Sequence, residues 1–356
     1  MRLQTNIALV VLAASGYLLF WPVPIDPAAW TAPPSPALTG PYALNQDLGP
    51  AQRLGTGVGE GPETVTPDAE GGVVVGYKDG RIERFAADGS RHQTLANTGG
   101  RPFGHSFDTQ GNLIIADGLR GLLRLTPGGK LETLSTQAGG VPFRFPDDVA
   151  VAHDGTIYFS DASSKFGPAM LGFDDVLEHR GHGRLLKYDP ASGQTSVLLD
   201  GLQFANGVTV GPDDAYVLVN ETGSYDVLRY WLKGDQAGRH EVFIGNLPGL
   251  PDGICFNGRD TFWLALVAPR DKLLDAMADL PFLRRIPLRL PQALQPGPAR
   301  YGMVLNLDLD GKVRRSLQDP RPQGFAPITD AKEANGYLYL GSVYRNEFAR
   351  LRLSAP

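Results

Sequence analysis

Residues 154–161 read DGTIYFSD: a polar tight turn, Asp154-Gly155, leads into a short β-branched and aromatic run that ends on Asp161. A turn dipeptide of this kind ahead of such a run marks the start of a strand. The pattern recurs in phase as EGGVVVGY (70–77), QGNLIIAD (110–117), DDAYVLVN (213–220), RDTFWLAL (259–266) and NGYLYLGS (335–342). Another strand follows each copy, as in GRIERF, GLLRL and GRLLKYD, and an inner strand precedes each turn, as in ETVTPD and DVAVAH. Outer strands such as HQTLAN, TSVLLD and HEVFIG follow most copies. Six in-phase copies of a four-stranded unit predict an all-β fold, a six-bladed β-propeller, over residues 46–356. An open sandwich gives no reason for six copies. The segment AQRLGTG (51–57) resembles HQTLANT and precedes the first inner strand, so it is expected to complete the last blade and close the ring.

The composition agrees. Of 356 residues 42% are hydrophobic and 20% charged, and 44 glycines with 29 prolines suit short strands and tight turns. A formal net charge of −5 gives no reason to expect nucleic acid as a partner. The single cysteine, Cys255, cannot form an intrachain disulfide, and within GICFNG it reads as a buried small hydrophobe.

The N-terminus differs. After Arg2 the run Leu3–Ile25 carries no charge and is just long enough to cross a bilayer, while Tyr17 and Trp21 suit its interface. No small-x-small cleavage site follows the apolar part, so residues 1–25 are expected to be a retained membrane anchor, with a signal peptide as the alternative. Either places the propeller outside the cytoplasm, periplasmic or otherwise extracytoplasmic, anchored in the first case and secreted in the second. Residues 26–45 read as a proline-rich spacer.

The repeat permits a comparison of equivalent positions. Eight residues before the turn position of each copy stand Glu63, Phe103, Asp147, Asn206, Asp252 and Ile328, which should all open an inner strand at the mouth of the central channel. Four of these are short oxygen donors, three of them carboxylates. Read singly, each suits a turn between strands. Read together, three carboxylates aimed at one axis repel one another unless a cation joins them. An oxygen-only set without histidine or cysteine points to one Ca²⁺ rather than zinc. Glu63, Asp147, Asn206 and Asp252 are the expected ligands, with Asp148 beside them behind the ion or in the pocket.

The stretches GPETVTPDAEGGVVVGYKDGRIERF, RPFGHSFDTQGNLIIADGLRGLLRL, GVPFRFPDDVAVAHDGTIYFSDASSKF and FANGVTVGPDDAYVLVNET resemble the strictosidine synthase-like proteins, including the adipocyte plasma membrane-associated type. The resemblance covers about residues 40–353 and extends to the N-terminal anchor and the blade-five insertion. It is weaker toward the gluconolactonase (regucalcin), diisopropylfluorophosphatase and paraoxonase group. That wider group implies a channel Ca²⁺ held by a Glu, two Asn and an Asp, and hydrolysis of lactones or esters. Glu63, Asn206 and Asp252 match those types, and Asp147 stands where Asn is usual. Strictosidine synthases carry a catalytic glutamate in the last blade, where this chain has Ile328 and Thr329, which disfavours a condensing enzyme. Paraoxonases carry a channel histidine after a proline. Here RPFGHS puts Phe103 there, with His105 two residues on and on the same strand face, either lining the pocket or hydrogen-bonded in the core.

The expected function is therefore calcium-dependent hydrolysis of a small ester or lactone. The ion would stabilise the oxyanion, Asp252 would act as general base or nucleophile, and Asp148 would be the reserve base. Phe103, His105, Ile328 and Thr329 would line the pocket. Ser163 and Ser164 lack a G-x-S-x-G turn and read as loop residues, and His153, His179 and His182 read as exposed. The alternative is a non-catalytic binding propeller with calcium as a structural pin, because this fold hosts many functions. The insertion 267–299 interrupts blade five, with Leu273, Leu274, Met277 and Leu280 at helical spacing. It reads as a lid, as an interfacial membrane contact, because basic and apolar residues alternate there, or as a packed cap.

Overall fold

A computed structural model describes residues 2–295, 297 and 299–353. Six antiparallel four-stranded sheets form the blades of a propeller. Their inner strands are Val65–Pro67, Pro102–Phe107, Pro146–Val151, Ala205–Val210, Gly249–Phe256 and Asp330–Ala334. In blades one to five the chain then runs outward strand by strand. In blade six the outer strand is Gln52–Leu54, which pairs with Phe348–Arg352 as Gln52↔Arg350, Arg53↔Ala349 and Leu54↔Phe348. The expected closure of the ring by the N-terminal segment is present.

Blades stack face to face, so their middle strands are buried on both sides and carry continuous apolar runs. Val73, Val74 and Val75 are all fully buried. Between blades one and two, Val74 and Ile82 pack with Leu113, Ile115 and Leu123; between four and five, Leu218 packs with Phe262, Leu264 and Leu305. Near the axis the backbones approach closely. A Cβ on Gly341 would fall on the carbonyl oxygen of Glu63, and one on Gly207 on that of Asp252.

Each inner strand leaves the channel mouth, and the second strand returns to it. Loops between second and third strands therefore gather on the mouth face. Blade three supplies a loop bearing a short helix, Phe173–Glu178. In blade five the second strand, Phe262–Pro269, runs further than the repeat suggested, and a helix at Lys272–Ala276 follows it. Asp271 caps that helix, accepting N–H bonds from Leu273 (2.7 Å) and Leu274 (3.0 Å). Three turns of 3₁₀ helix, Leu283–Arg285, Pro287–Arg289 and Gln292–Leu294, come next.

The N-terminal run is helical over Arg2–Phe20. Among the described residues no helix is long and apolar enough to cross a membrane, which corrects the expectation of a spanning anchor. Nineteen residues at about 1.5 Å each make a rod of roughly 28 Å, and Gln4, Thr5 and Asn6 dilute its first turns. Its far end is attached to the propeller: Arg289 donates to the carbonyls of Trp21 (2.6 Å) and Leu18 (2.9 Å).

Residues 26–45 do not hang free. Asp26 pairs with Arg180 (2.7 Å) and Arg285 (2.8 Å), and Arg284, fully buried, donates to the carbonyls of Leu177 (3.0 Å) and Ala28. Trp30 stacks on His179 with ring centroids 4.1 Å apart. Further on, Gln318 Nε2 donates to the carbonyls of Tyr42 (3.1 Å) and Ala43 (3.2 Å). The segment is a strap laid from the blade-three loop to the closing strand.

Candidate metal and active site at the channel mouth

Glu63 lies just ahead of its inner strand, and Asp147, Asn206 and Asp252 lie within theirs. All four are buried. The pairing between inner and second strands slips at the equivalent place in four successive blades, between Pro102 and His105, Pro146 and Val149, Ala205 and Val208, and Pro251 and Ile254. Each slip is a β-bulge, which re-aims side chains and commonly marks a site. Phe103, Asp147, Asn206 and Asp252 all occupy this bulge.

Burial pushes the carboxyls of Glu63, Asp147 and Asp252 well above the usual carboxylate range. Their mutual repulsion pushes them further: Asp147 and Asp252 act on Glu63, Asp147 on Asp252, and Asp148 on Asp147. Arg101, half-buried beside Glu63 and Asp147, opposes this. Asn206 hydrogen-bonds the Asp252 carboxylate, and its Nδ2 lies 3.2 Å from Thr222 Oγ1. Thr222 Oγ1 donates to the carbonyl of Pro251 (2.7 Å), and the side-chain amide of Asn220 donates to that of Asp252. Glu63 Oε2 is buried without a hydrogen-bond partner. Tyr344, exposed as a residue, turns its hydroxyl in toward Asp252 and Glu63, and burial together with those carboxylates raises its pKa.

The donor types fit a hard cation, and an orphaned buried carboxylate oxygen is what such an ion would satisfy. The side chains are not a ready-made cage, however. Among the described residues no three His, Cys, Asp or Glu side chains are gathered tightly enough to hold a metal. The quartet shares a mouth and a field rather than a preformed coordination sphere.

Asp148 belongs to a lower layer. Its carboxylate accepts N–H bonds from Val149 (2.8 Å) and Val208 (2.9 Å), and burial pushes its pKa to about 6. His105 is fully buried with neither ring nitrogen bonded, and its pKa is pushed down to about 3 by burial first and then by Lys332. It is a core residue, but not a hydrogen-bonded one. Phe103 packs on Phe145 (5.0 Å between centroids) with Arg101 over its ring (4.8 Å). Ile328 is buried with Leu48, Phe325 and Ala331, and Thr329 Oγ1 donates to the carbonyl of Glu63 (3.0 Å). These side chains build the wall rather than face an open pocket. Two cavities, of about 310 Å³ beside Tyr158, Tyr230 and Trp231 and about 500 Å³ beside Gln46 and Arg315, lie away from the mouth.

Two histidines correct the sequence reading. His179 is buried under Trp30, and His182 is half-buried with Nε2 2.7 Å from Glu178 Oε1. His153 is exposed and pairs with Asp214 (2.9 Å). Ser163 is buried, its Oγ accepting the N–H groups of Lys165 (3.3 Å) and Phe166 (3.0 Å), which is a turn role. Sequence reasoning missed Arg101, Tyr344, Asp330 and Lys332. The last two lie two and four residues past Ile328 on the blade-six inner strand, whose described strand begins only at Asp330.

The chain matches the strictosidine synthase family profile over residues 147–235 and the strictosidine synthase-like N-terminal profile over residues 40–85. It is 35% identical over 326 residues to Strictosidine Synthase-Like 6 of Arabidopsis thaliana, covering 90% of this chain and 86% of that protein. It is 32% identical over 383 residues to the adipocyte plasma membrane-associated protein of Rattus norvegicus, covering 100% of this chain and 99% of that one. Among solved structures, a gluconolactonase from Xanthomonas campestris superposes with a TM-score of 0.62 at 20% identity, covering 93% of this chain and 99% of that one. A calcium-binding regucalcin from Agrobacterium tumefaciens gives 0.58 at 14% identity, covering 85% and 91%. At those identities the structural likeness speaks for the fold.

Proposed function

The chain belongs to the strictosidine synthase-like family, and from that premise we propose that it is a calcium-dependent hydrolase of small esters or lactones. The observation that carries the reading is the buried trio Glu63, Asp147 and Asp252 around one mouth, with Asn206 among them and Arg101 as the cation acting against Glu63 and Asp147. Those four side chains would hold one Ca²⁺. When bound, the ion supplies electrophilic stabilisation of a carbonyl oxygen as negative charge develops there. Asp252, oriented by the Asn206 amide, is the general base for the attacking water. Asp148 suits that role less well, because both its oxygens are engaged by backbone N–H groups. The buried Phe103–Phe145 contact packs behind the mouth and keeps bulk water from its inner side. Thr329, bonded to the Glu63 carbonyl, offers no carboxylate for a condensation reaction.

A second reading, calcium as a structural pin in a binding propeller, draws support from the low exposure of the quartet. An ester and lactone panel assayed with and without chelator, on wild type and Asp252→Asn, separates the two. Hydrolysis lost in both the chelated and the variant samples supports the enzyme. Equal turnover in all four removes the mechanism, and no turnover alongside calcium-dependent melting favours the pin.

We also propose that the protein works outside the cytoplasm at a membrane surface, held there by the N-terminal helix lying on or in one leaflet. Ile7, Leu9, Val10, Val11 and Leu12 are exposed along it, and relatives carry a plasma membrane-associated name. Vesicle flotation of the full chain against a chain lacking residues 1–20 tests this, with equal recovery of the two as the contrary result.

A further inference from the structure

Below the mouth the channel holds a second group of charges that the proposed reaction does not use. Lys332 projects from the blade-six strand Asp330–Ala334. Its Nζ donates to Thr66 Oγ1 of blade one (3.1 Å) and to the carbonyl oxygen of His105 of blade two (3.1 Å). Thr66 Oγ1 donates to that same carbonyl (2.7 Å), so its lone pairs are turned to the ammonium. The carboxylates of Asp148, on blade three, and of Asp330 act on the ammonium through their charge without direct ion-pair contact, and the Cys255 thiol of blade five adds to this more weakly. Asp148 in turn accepts the Val208 N–H of blade four, and Asp330 accepts the Val65 N–H of blade one (3.3 Å).

We propose that the Lys332 ammonium is the resident cation of the lower channel, holding the inner strands together at a place that a metal ion could take if the ammonium were absent. Its direct partners, one hydroxyl and one carbonyl from blades one and two, are oxygen donors of the kind a hard cation takes, and the carboxylates of Asp148 and Asp330 add negative field from blades three and six. Charge counting separates the two layers. At the mouth, with the acids ionised as a bound divalent ion would keep them, three carboxylates against Arg101 leave two negative charges, which suits one such ion. Below, two carboxylates against Lys332 leave only one. Burial by itself disfavours an ammonium, yet the pKa of Lys332 is raised because Asp330 and Asp148 outweigh it, so the group stays charged. Lys332 is thus a positioning residue, acting on Asp148 and Asp330 rather than on a substrate. This inference stands without the hydrolase reading.

The test uses the full chain, Lys332→Ala and Lys332→Met, with thermal melting in ethylammonium chloride, tetramethylammonium chloride or CaCl₂, and calorimetric Ca²⁺ titration. Lys332→Ala should melt several degrees below wild type. Ethylammonium, which can donate hydrogen bonds from the vacated position, should recover at least half the loss, whereas tetramethylammonium should recover none. Lys332→Ala should also take up one more Ca²⁺ per chain than wild type. If the alanine variant does not fold, Lys332→Met carries the test: it keeps the stem, and it should gain the extra Ca²⁺ or bind Ca²⁺ about tenfold more tightly. The proposal fails if Lys332→Ala melts with wild type, or if its loss is rescued by neither ethylammonium nor calcium. It fails too if Lys332→Met matches wild type in both melting and titration.

Discussion

Asp147 and Asp148 are consecutive in the chain and serve different layers of the channel. Asp147 stands at the mouth beside Arg101 and acts on Glu63 and Asp252, while Asp148 turns down to the N–H of Val208 in the next blade, 2.9 Å away. The bulge between Pro146 and Val149 permits this, since it puts two successive residues where regular pairing would put one.

Neutralising the two aspartates should therefore have different effects. Asp147→Asn removes a charge from the mouth and should weaken Ca²⁺ binding by about tenfold or more, while raising the calcium-free melting temperature because a buried, repelled carboxylate is gone. Asp148→Asn disturbs two buried N–H partners and should cost about 1–3 kcal/mol of stability. Calorimetric titration and urea denaturation of both variants check this, and indistinguishable variants would contradict the two-layer assignment.

The close approach of the last blade to the first makes a second expectation sharp. Alanine at Gly341 puts a methyl group onto the Glu63 carbonyl oxygen, so the backbone that carries Glu63 must move. Gly341→Ala should lose about 3 kcal/mol or more and bind calcium less tightly, whereas Gly129→Ala, where nothing lies near the added Cβ, should leave calcium affinity unchanged.

Asp175 supplies a pH dependence away from the mouth. Burial pushes its pKa from 3.8 to about 7. Between those values the folded chain keeps a proton that the unfolded chain releases, so this residue makes stability fall as pH rises through the window, with the whole cost present above pH 7. Asp175→Asn should be more stable than wild type at pH 8 by up to about 4 kcal/mol and gain much less at pH 4. Denaturation curves at the two pH values decide, and an equal gain at both would remove the assignment.

Arg284 joins the strap to the propeller from a fully buried position. Arg284→Ala leaves the Leu177 and Ala28 carbonyls without their donor and should cost about 3 kcal/mol. It should also expose residues 26–45 to protease several-fold faster than wild type, as gel electrophoresis of a limited digest would show. Unchanged cleavage would mean that other contacts hold the strap.

The ring was legible in the sequence because one strand pattern recurs in phase, and the closing segment because it resembles the outer strand of blade one. That Glu63, Asp147, Asn206 and Asp252 sit at equivalent places at the start of their blades followed from the same phase, whereas the reach of their side chains toward one point did not. Several features lay outside that logic. The bulges leave no mark beyond the pairs Asp147-Asp148, Asn206-Gly207 and Asp252-Gly253, since a slip in pairing depends on the partner strand. Arg101 and Tyr344 reach the mouth from just outside the aligned positions. Lys332 was hidden because the blade-six strand begins at Asp330, two residues past Ile328. The strap looked like a spacer because its prolines are typical of one, while the residues that fix it, Arg180, Arg270, Arg284 and Arg285, lie far along the chain.

The strap also sets how the molecule bears load. The ring is sealed by three residue pairs between Gln52–Leu54 and Phe348–Arg352 and by backbone bonds such as Gly61 N–H to the Arg345 carbonyl (2.7 Å). A pull on the N-terminal helix reaches that seam only after Arg289, Arg284 and the Asp26 ion pairs have given way. The strap is thus a strain relief, like the clamp that keeps a tugged cable from tearing at its plug.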